Sequence, residues 1–206
     1  MKNALLALCI LLLGLTVWAQ DVPKVEIPVG FSFINVHPNL APITSFNVFG
    51  GGGQVDFNFG NVFGIKADFM DYAFGSSWTR KLHNLGYMGS ASANLFTYQF
   101  GPQLKRHSGK FQPFIEALYG AAHSSGYASA LKAKGDGSYQ LTGGGGNNNA
   151  FAMELGGGLD IVLSKTVQVR PLEVDYQLTR FGYKTYSANQ NNFKYFAGIN
   201  FTLGGK

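Results

Sequence analysis

The chain has 206 residues, 46% of them hydrophobic and only 13% charged, with 28 Gly and a formal net charge of +5. Ordinary soluble domains carry about 25% charged residues and about 7% glycine, so this composition is charge-poor and glycine-rich. One cysteine, Cys9, leaves no partner for a disulfide, and the modest positive charge is not gathered into a nucleic-acid-binding stripe.

The first residues read as a targeting segment. Lys2 supplies the positive start, Ala4 to Val17 is an apolar run, and Val17-Trp18-Ala19 fits a small-residue cleavage site. Residues 1–19 are therefore expected to be a signal peptide, and 20–206 one domain. The competing reading, an uncleaved anchor, needs about 20 apolar residues to span a bilayer. Cleavage would remove Cys9 and leave a mature chain without thiols.

Beyond residue 19 no run approaches 18 apolar residues, and the apolar period is 2 rather than 3.6, which predicts strands. Eight are expected, at 29–37, 46–59, 62–72, 92–105, 112–123, 150–163, 166–180 and 192–203. In the second, Val55, Phe57 and Phe59 oppose Gln54, Asp56 and Asn58. In the third, Phe63, Ile65, Ala67 and Phe69 oppose Lys66 and Asp68. In the fifth, Ile115, Ala117 and Tyr119 oppose Glu116 and Leu118. The sixth sets Phe151, Met153, Leu155, Leu159 and Ile161 against Glu154, Gly156, Gly158 and Asp160. The seventh sets Leu172, Val174, Tyr176 and Leu178 against Glu173, Asp175 and Gln177, and the eighth sets Phe193, Tyr195, Ile199 and Phe201 against Lys194. The first and fourth alternate less cleanly.

The expected connections alternate in length. Those at Gly60-Asn61, around His107-Ser108-Gly109 and at Ser164-Lys165 are short; those at 73–91, 124–149 and 181–191 are longer. One face is too polar and small for an ordinary core, and the other is rich in aromatics. Both facts fit an all-β, eight-stranded antiparallel up-and-down transmembrane barrel with lipid outside and a polar lumen. Its short turns would be periplasmic and its longer loops extracellular.

The segments "QFGPQLKRHSGKFQPFIEALYGAAH", "FAMELGGGLDIVLSK", "VQVRPLEVDYQLTRFG" and "KYFAGINFTLGG" resemble the small eight-stranded outer-membrane β-barrel family. That family includes the N-terminal barrel of outer membrane protein A and the opacity and attachment–invasion proteins. The resemblance covers nearly all of the mature chain. It implies a monomeric protein of the cell outer membrane, with lipid and the barrel-assembly machinery as partners and an unidentified extracellular loop ligand. It also implies Gly198, Phe201 and Leu203 as the assembly signal, although Gly204-Gly205-Lys206 follow where family members end on an aromatic. No peptidoglycan-binding domain follows strand eight, so no cell-wall tether is expected.

The candidate site is the lumen. Asp56, Lys66, Asp68, Glu116, Glu154, Glu173, Asp175 and Lys194 are expected to point inward, with Asp160 near the periplasmic end. Arg170, Arg180 and Lys105 are candidates to lean in. Eight strands enclose a space that side chains just fill, which favours a structural charge network plugging the barrel over a small cation-preferring pore. Two further alternatives remain. His123 and Ser125, two apart on one strand, would suit a lipid A-modifying acyl hydrolase, though no acid is clearly placed to orient the histidine. A soluble lipocalin-like barrel holding an apolar ligand would need the two faces reversed. Gly143–Gly146 with Asn147–Asn149 is expected to be a flexible loop tip, and His107 a solvated turn residue. His37 and His83 lack partners at metal-ligand spacing. Gly50–Gly53 lacks the lysine and helix of a phosphate loop. No cofactor, metal or enzymatic activity is expected.

Overall fold

A computed structural model describes residues 22–37, 45–74, 80, 84, 87–133, 139–182 and 187–204. The expected signal peptide, His83 and the last two residues lie outside the described residues. The strands are β1 (Val25–Val36), β2 (Phe46–Asn58), β3 (Phe63–Phe74), β4 (Tyr87–Lys105), β5 (Phe111–Ala133), β6 (Tyr139–Val162), β7 (Val167–Gly182) and β8 (Ser187–Leu203). Each pairs antiparallel with its sequence neighbour, and β1 pairs with β8, closing the barrel. Closure leaves the barrel wall itself without an edge.

The two faces are divided as the alternation expects. Outward side chains are apolar and aromatic: Phe31 is 85% exposed, Leu155 60% and Phe201 45%. Inward side chains are polar in the lower part of the barrel. Towards the loop end they become apolar, where Ile34, Val48, Met70, Tyr72, Leu95, Ala152 and Phe196 form one cluster.

Strand lengths depart from expectation. β1 begins at Val25, so Glu26 faces inward, paired with Asp56 and Thr202. Pro28 has no N–H to donate, and the ladder towards β2 passes from Glu26↔Asp56 directly to Val29↔Gly53. The larger correction lies at the loop end. Gly143–Asn149 is not a loop tip: it belongs to β6 and pairs with β5 from Ser129↔Gly143 to His123↔Asn149. β4 follows, with Tyr87↔Lys132. The pairing of β3 with β4 stops at Phe74↔Ala93, and that of β6 with β7 at Ala150↔Phe181. β4, β5 and β6 therefore continue past their neighbours as a three-stranded sheet. The expected long–short alternation of loops is in large part an alternation of strand overrun.

One irregularity decides an inward charge. Strict alternation back from Glu173 would turn Arg170 outward. The β7–β8 register shifts between Arg170 and Glu173, where Pro171 and Leu172 are both exposed. The extra residue lets Arg170 and Glu173 both face the interior.

A charged interior beneath an apolar lid

All eight predicted interior residues are fully or almost fully buried: Asp56, Lys66, Asp68, Glu116, Glu154, Glu173, Asp175 and Lys194. Asp160, Lys105 and Arg170 join them. Arg180 does not; it is exposed. As an even-numbered residue beyond the bulge it follows Val174, Tyr176 and Leu178 outward. Glu26 was missed with the start of β1. Phe114, one residue before the recognised alternation of β5, also points in and is buried.

The ion pairs form three tiers. At the turn end, Lys105 bridges Glu26 and Asp160, at 2.6 Å from the latter. His107 is only 8% exposed, not a solvated turn residue. Its Nε2 lies 3.0 Å from Glu26 and its Nδ1 3.1 Å from the Asn61 carbonyl. Asn200 Nδ2 donates to Glu26 at 2.6 Å and to Asp160 at 3.2 Å. The expected turn at 107–109 thus tucks its histidine under the barrel as a floor.

In the middle tier Arg170 forks onto Asp160 through Nε at 2.7 Å and Nη2 at 2.9 Å. It also reaches Glu173 at 2.8 Å and Asp56 at 3.2 Å. The fork matches the planar carboxylate geometry that arginine recognises. Lys66 crosses from β3 to Glu116 on β5 at 2.7 Å and Glu173 on β7 at 2.9 Å. The Phe114 ring sits under both cations, 4.3 Å from the guanidinium carbon and 5.1 Å from the ammonium, within cation–π range. Gln54 Nε2 ties this tier upward, donating to Glu173 at 2.7 Å and Asp68 at 2.8 Å.

In the upper tier Lys194 contacts Glu154 at 2.6 Å, Asp68 at 3.0 Å and Asp175 at 3.2 Å. Gln177 Nε2 donates to Glu154 at 2.5 Å. Above it lies the apolar cluster, into which Tyr72 reaches with its hydroxyl 2.8 Å from Ser32 Oγ. The lid was not singled out from the sequence. Its members stand on the polar-face parity of their strands, so each looked like an isolated exception.

Glu116, Glu173 and Asp175 bring carboxylate oxygens within 4.8 Å of one another. Lys66 and Lys194 already stand among them, so the positive charge such a cluster needs comes from the chain itself.

His123 is on the outer face near the loop end, with Nδ1 2.6 Å from Asn149 Oδ1 across the β5–β6 pair. Glu154 is not available to it: its carboxylate is inside and fully buried. Gly198 packs against β1, where a Cβ would lie 2.3 Å from the Val29 carbonyl oxygen. Phe201 and Leu203 are exposed on the outside.

No family model matches this chain, and no curated protein matches it. Among solved structures it is similar to the attachment invasion locus protein Ail of Yersinia pestis, at 12% identity and a TM-score of 0.56, over 87% of this chain and 98% of that one. The same protein in complex with the heparin analogue sucrose octasulfate aligns at 14% identity and 0.55, over 87% and 98%. Neisserial surface protein A aligns at 9% identity and 0.50, over 87% and 97%. Identities this low carry the fold.

Proposed function

We propose that this chain, which has the fold of the small eight-stranded outer-membrane barrels, is a structural protein of the cell outer membrane that carries a contact surface outward. Residues 1–19 direct export, and the mature barrel is a monomer. The turns face the periplasm. β4, β5 and β6 project from the outer surface, and a ligand meets them there. Gly198, Phe201 and Leu203 present the last strand to the assembly machinery.

The observation that carries the reading is the outward aromatic and aliphatic surface wrapped around a buried ion-pair network. A soluble barrel of lipocalin type would have these faces exchanged. In lipid the outer face needs no partner, and a closed wall lets each strand pair its backbone with a neighbour on both sides. Strands β1 to β3, of 12 to 13 residues, exceed the roughly 9–11 residues that a tilted strand needs to cross a bilayer.

The interior supports a plug rather than a pore. Cations from β3, β4, β7 and β8 each hold carboxylates from other strands, and the apolar lid covers them on the loop side. Catalysis at His123 has less support, since its ring faces an amide and the nearby carboxylates lie behind the wall.

Three measurements test the proposal together. The protein should fractionate with outer membranes and shift on a gel after heating. In planar bilayers it should give at most rare, small openings. Steady cation-selective conductance would replace the plug with a pore. Full solubility without detergent would remove the membrane reading altogether.

A further inference from the structure

Charge on this barrel is sorted by depth: the carboxylates lie mostly inside, while exposed cations stand at both ends, Arg180 among them towards the loops. Eight carboxylates are buried inside, and the exposed one among the described residues, Asp71, lies towards the loop end. The turn end is different. Lys24, Arg106, Lys110 and Lys165 are all exposed there, and no described Asp or Glu is exposed beside them. None of the four is ion-paired among the described residues. They are spread around the rim: Lys24 where β8 meets β1, Arg106 and Lys110 at the β4–β5 turn, and Lys165 at the β6–β7 turn.

Their depth is as regular as their sign. Lys110 directly precedes Phe111, and Lys24 directly precedes Val25. Arg106 and Lys165 each follow an exposed leucine, Leu104 and Leu163, by two residues. Each cation thus stands at the edge of the apolar belt, where lipid phosphates lie if the belt is in lipid. Arg106 Nε donates to Ser108 Oγ at 2.8 Å, which holds the guanidinium in the turn.

We propose that this rim is a binding surface for anionic phospholipid headgroups of the leaflet the turns face. The inference rests on the membrane reading above and adds a lipid class to it. The chemistry is the attraction of cations at headgroup depth for phosphate, with an arginine fork suited to its oxygens. A cation held near an anionic membrane surface raises local affinity about fivefold, and concentrated salt screens the effect. The eight buried carboxylates outnumber the four cations paired with them, Lys66, Lys105, Arg170 and Lys194, but they lie inside the wall, whereas the rim cations are exposed at headgroup depth.

The mature chain is refolded into phosphatidylcholine vesicles carrying a trace of spin-labelled phosphatidylcholine or phosphatidylglycerol, and the fraction of each label slowed by the protein is read from the spectrum. The wild type should slow phosphatidylglycerol about fivefold more strongly, with the preference fading in concentrated salt. A variant combining Lys24→Gln, Arg106→Gln, Lys110→Gln and Lys165→Gln should show none, and one combining Lys24→Arg, Lys110→Arg and Lys165→Arg should keep it. Equal slowing of both lipids by the wild type, or a salt-insensitive preference, overturns the proposal even if the glutamine variant does not fold. A preference that survives in the folded glutamine variant overturns it too. The heat-dependent gel shift separates the two levels. A wild type that never inserts removes the membrane reading and the rim with it, whereas one that inserts without lipid preference removes only the rim.

Discussion

A Cβ placed on Gly156 would lie 2.1 Å from Oδ1 of Asp175 and 2.3 Å from the Val174 carbonyl oxygen. Gly158, two residues on, leaves similar room for the edge of the Phe114 ring, whose Cζ would be 2.8 Å from such a Cβ. Gly156 and Gly158, two of the three glycines between Glu154 and Asp160, are thus the space into which β7 and β5 send their side chains. Gly156→Ala should destabilise the barrel by about 1–3 kcal/mol, the usual range for overpacking. Gly60→Ala, where nothing lies within 4 Å, should cost much less. Urea unfolding in lipid vesicles would compare them, and equal midpoints would count against the close packing.

The outward face can be tested at Leu155. Leu155→Arg places a cation on the belt and should cost roughly 2–4 kcal/mol if the site is near the bilayer midplane. Asn147→Arg, exposed at the loop end, should fold with nearly wild-type yield. Matching yields in vesicles would place Leu155 outside lipid.

Lys66 joins β3 to β5 and β7 through Glu116 and Glu173. Lys66→Met leaves both carboxylates with less compensation in a buried setting, where breaking a pair often costs about 3–5 kcal/mol. The temperature of the gel-mobility change should fall while the protein still fractionates with membranes. An unchanged temperature would show that the interior tolerates the loss, as a water-filled lumen would.

Orientation is open to a clean chemical test, since residues 20–206 contain no cysteine. Asn147→Cys should react with an impermeant maleimide on intact cells. Ser164→Cys should react only after the membrane is opened. The reverse pattern would invert the barrel.

Most of the fold was legible because an apolar outer face and a polar closed interior put opposite polarities on alternate residues. Phe151 to Ile161 shows this in one strand. The same rule explains what was not legible. Beyond Ala150 the β5–β6 ladder runs on through residues such as Ser129 and Gly143, which carry no hydrophobic alternation to announce it. Arg170 needed the shift at Pro171-Leu172, whose geometry no residue count reveals. His107 sits in a sequence as polar as any turn. It is the distant Glu26, brought round by barrel closure, that draws it inward. The interior charges were readable strand by strand, but their partners were not, since Lys66 bypasses Asp56 and Asp68 nearby and bonds across the barrel.

The overrun of β4, β5 and β6 has a mechanical consequence. From Asn149 to Tyr139 the ribbon adds ten residues, or about 30 Å at roughly 3.3 Å each before tilt is counted. A slack loop of the same length would wander and yield under tension. A hydrogen-bonded ribbon holds its far end at a set distance from the closed wall. A pull on that end is carried down three strands into the wall, where the Glu116 and Glu154 carboxylates brace β5 and β6 against Lys66 and Lys194.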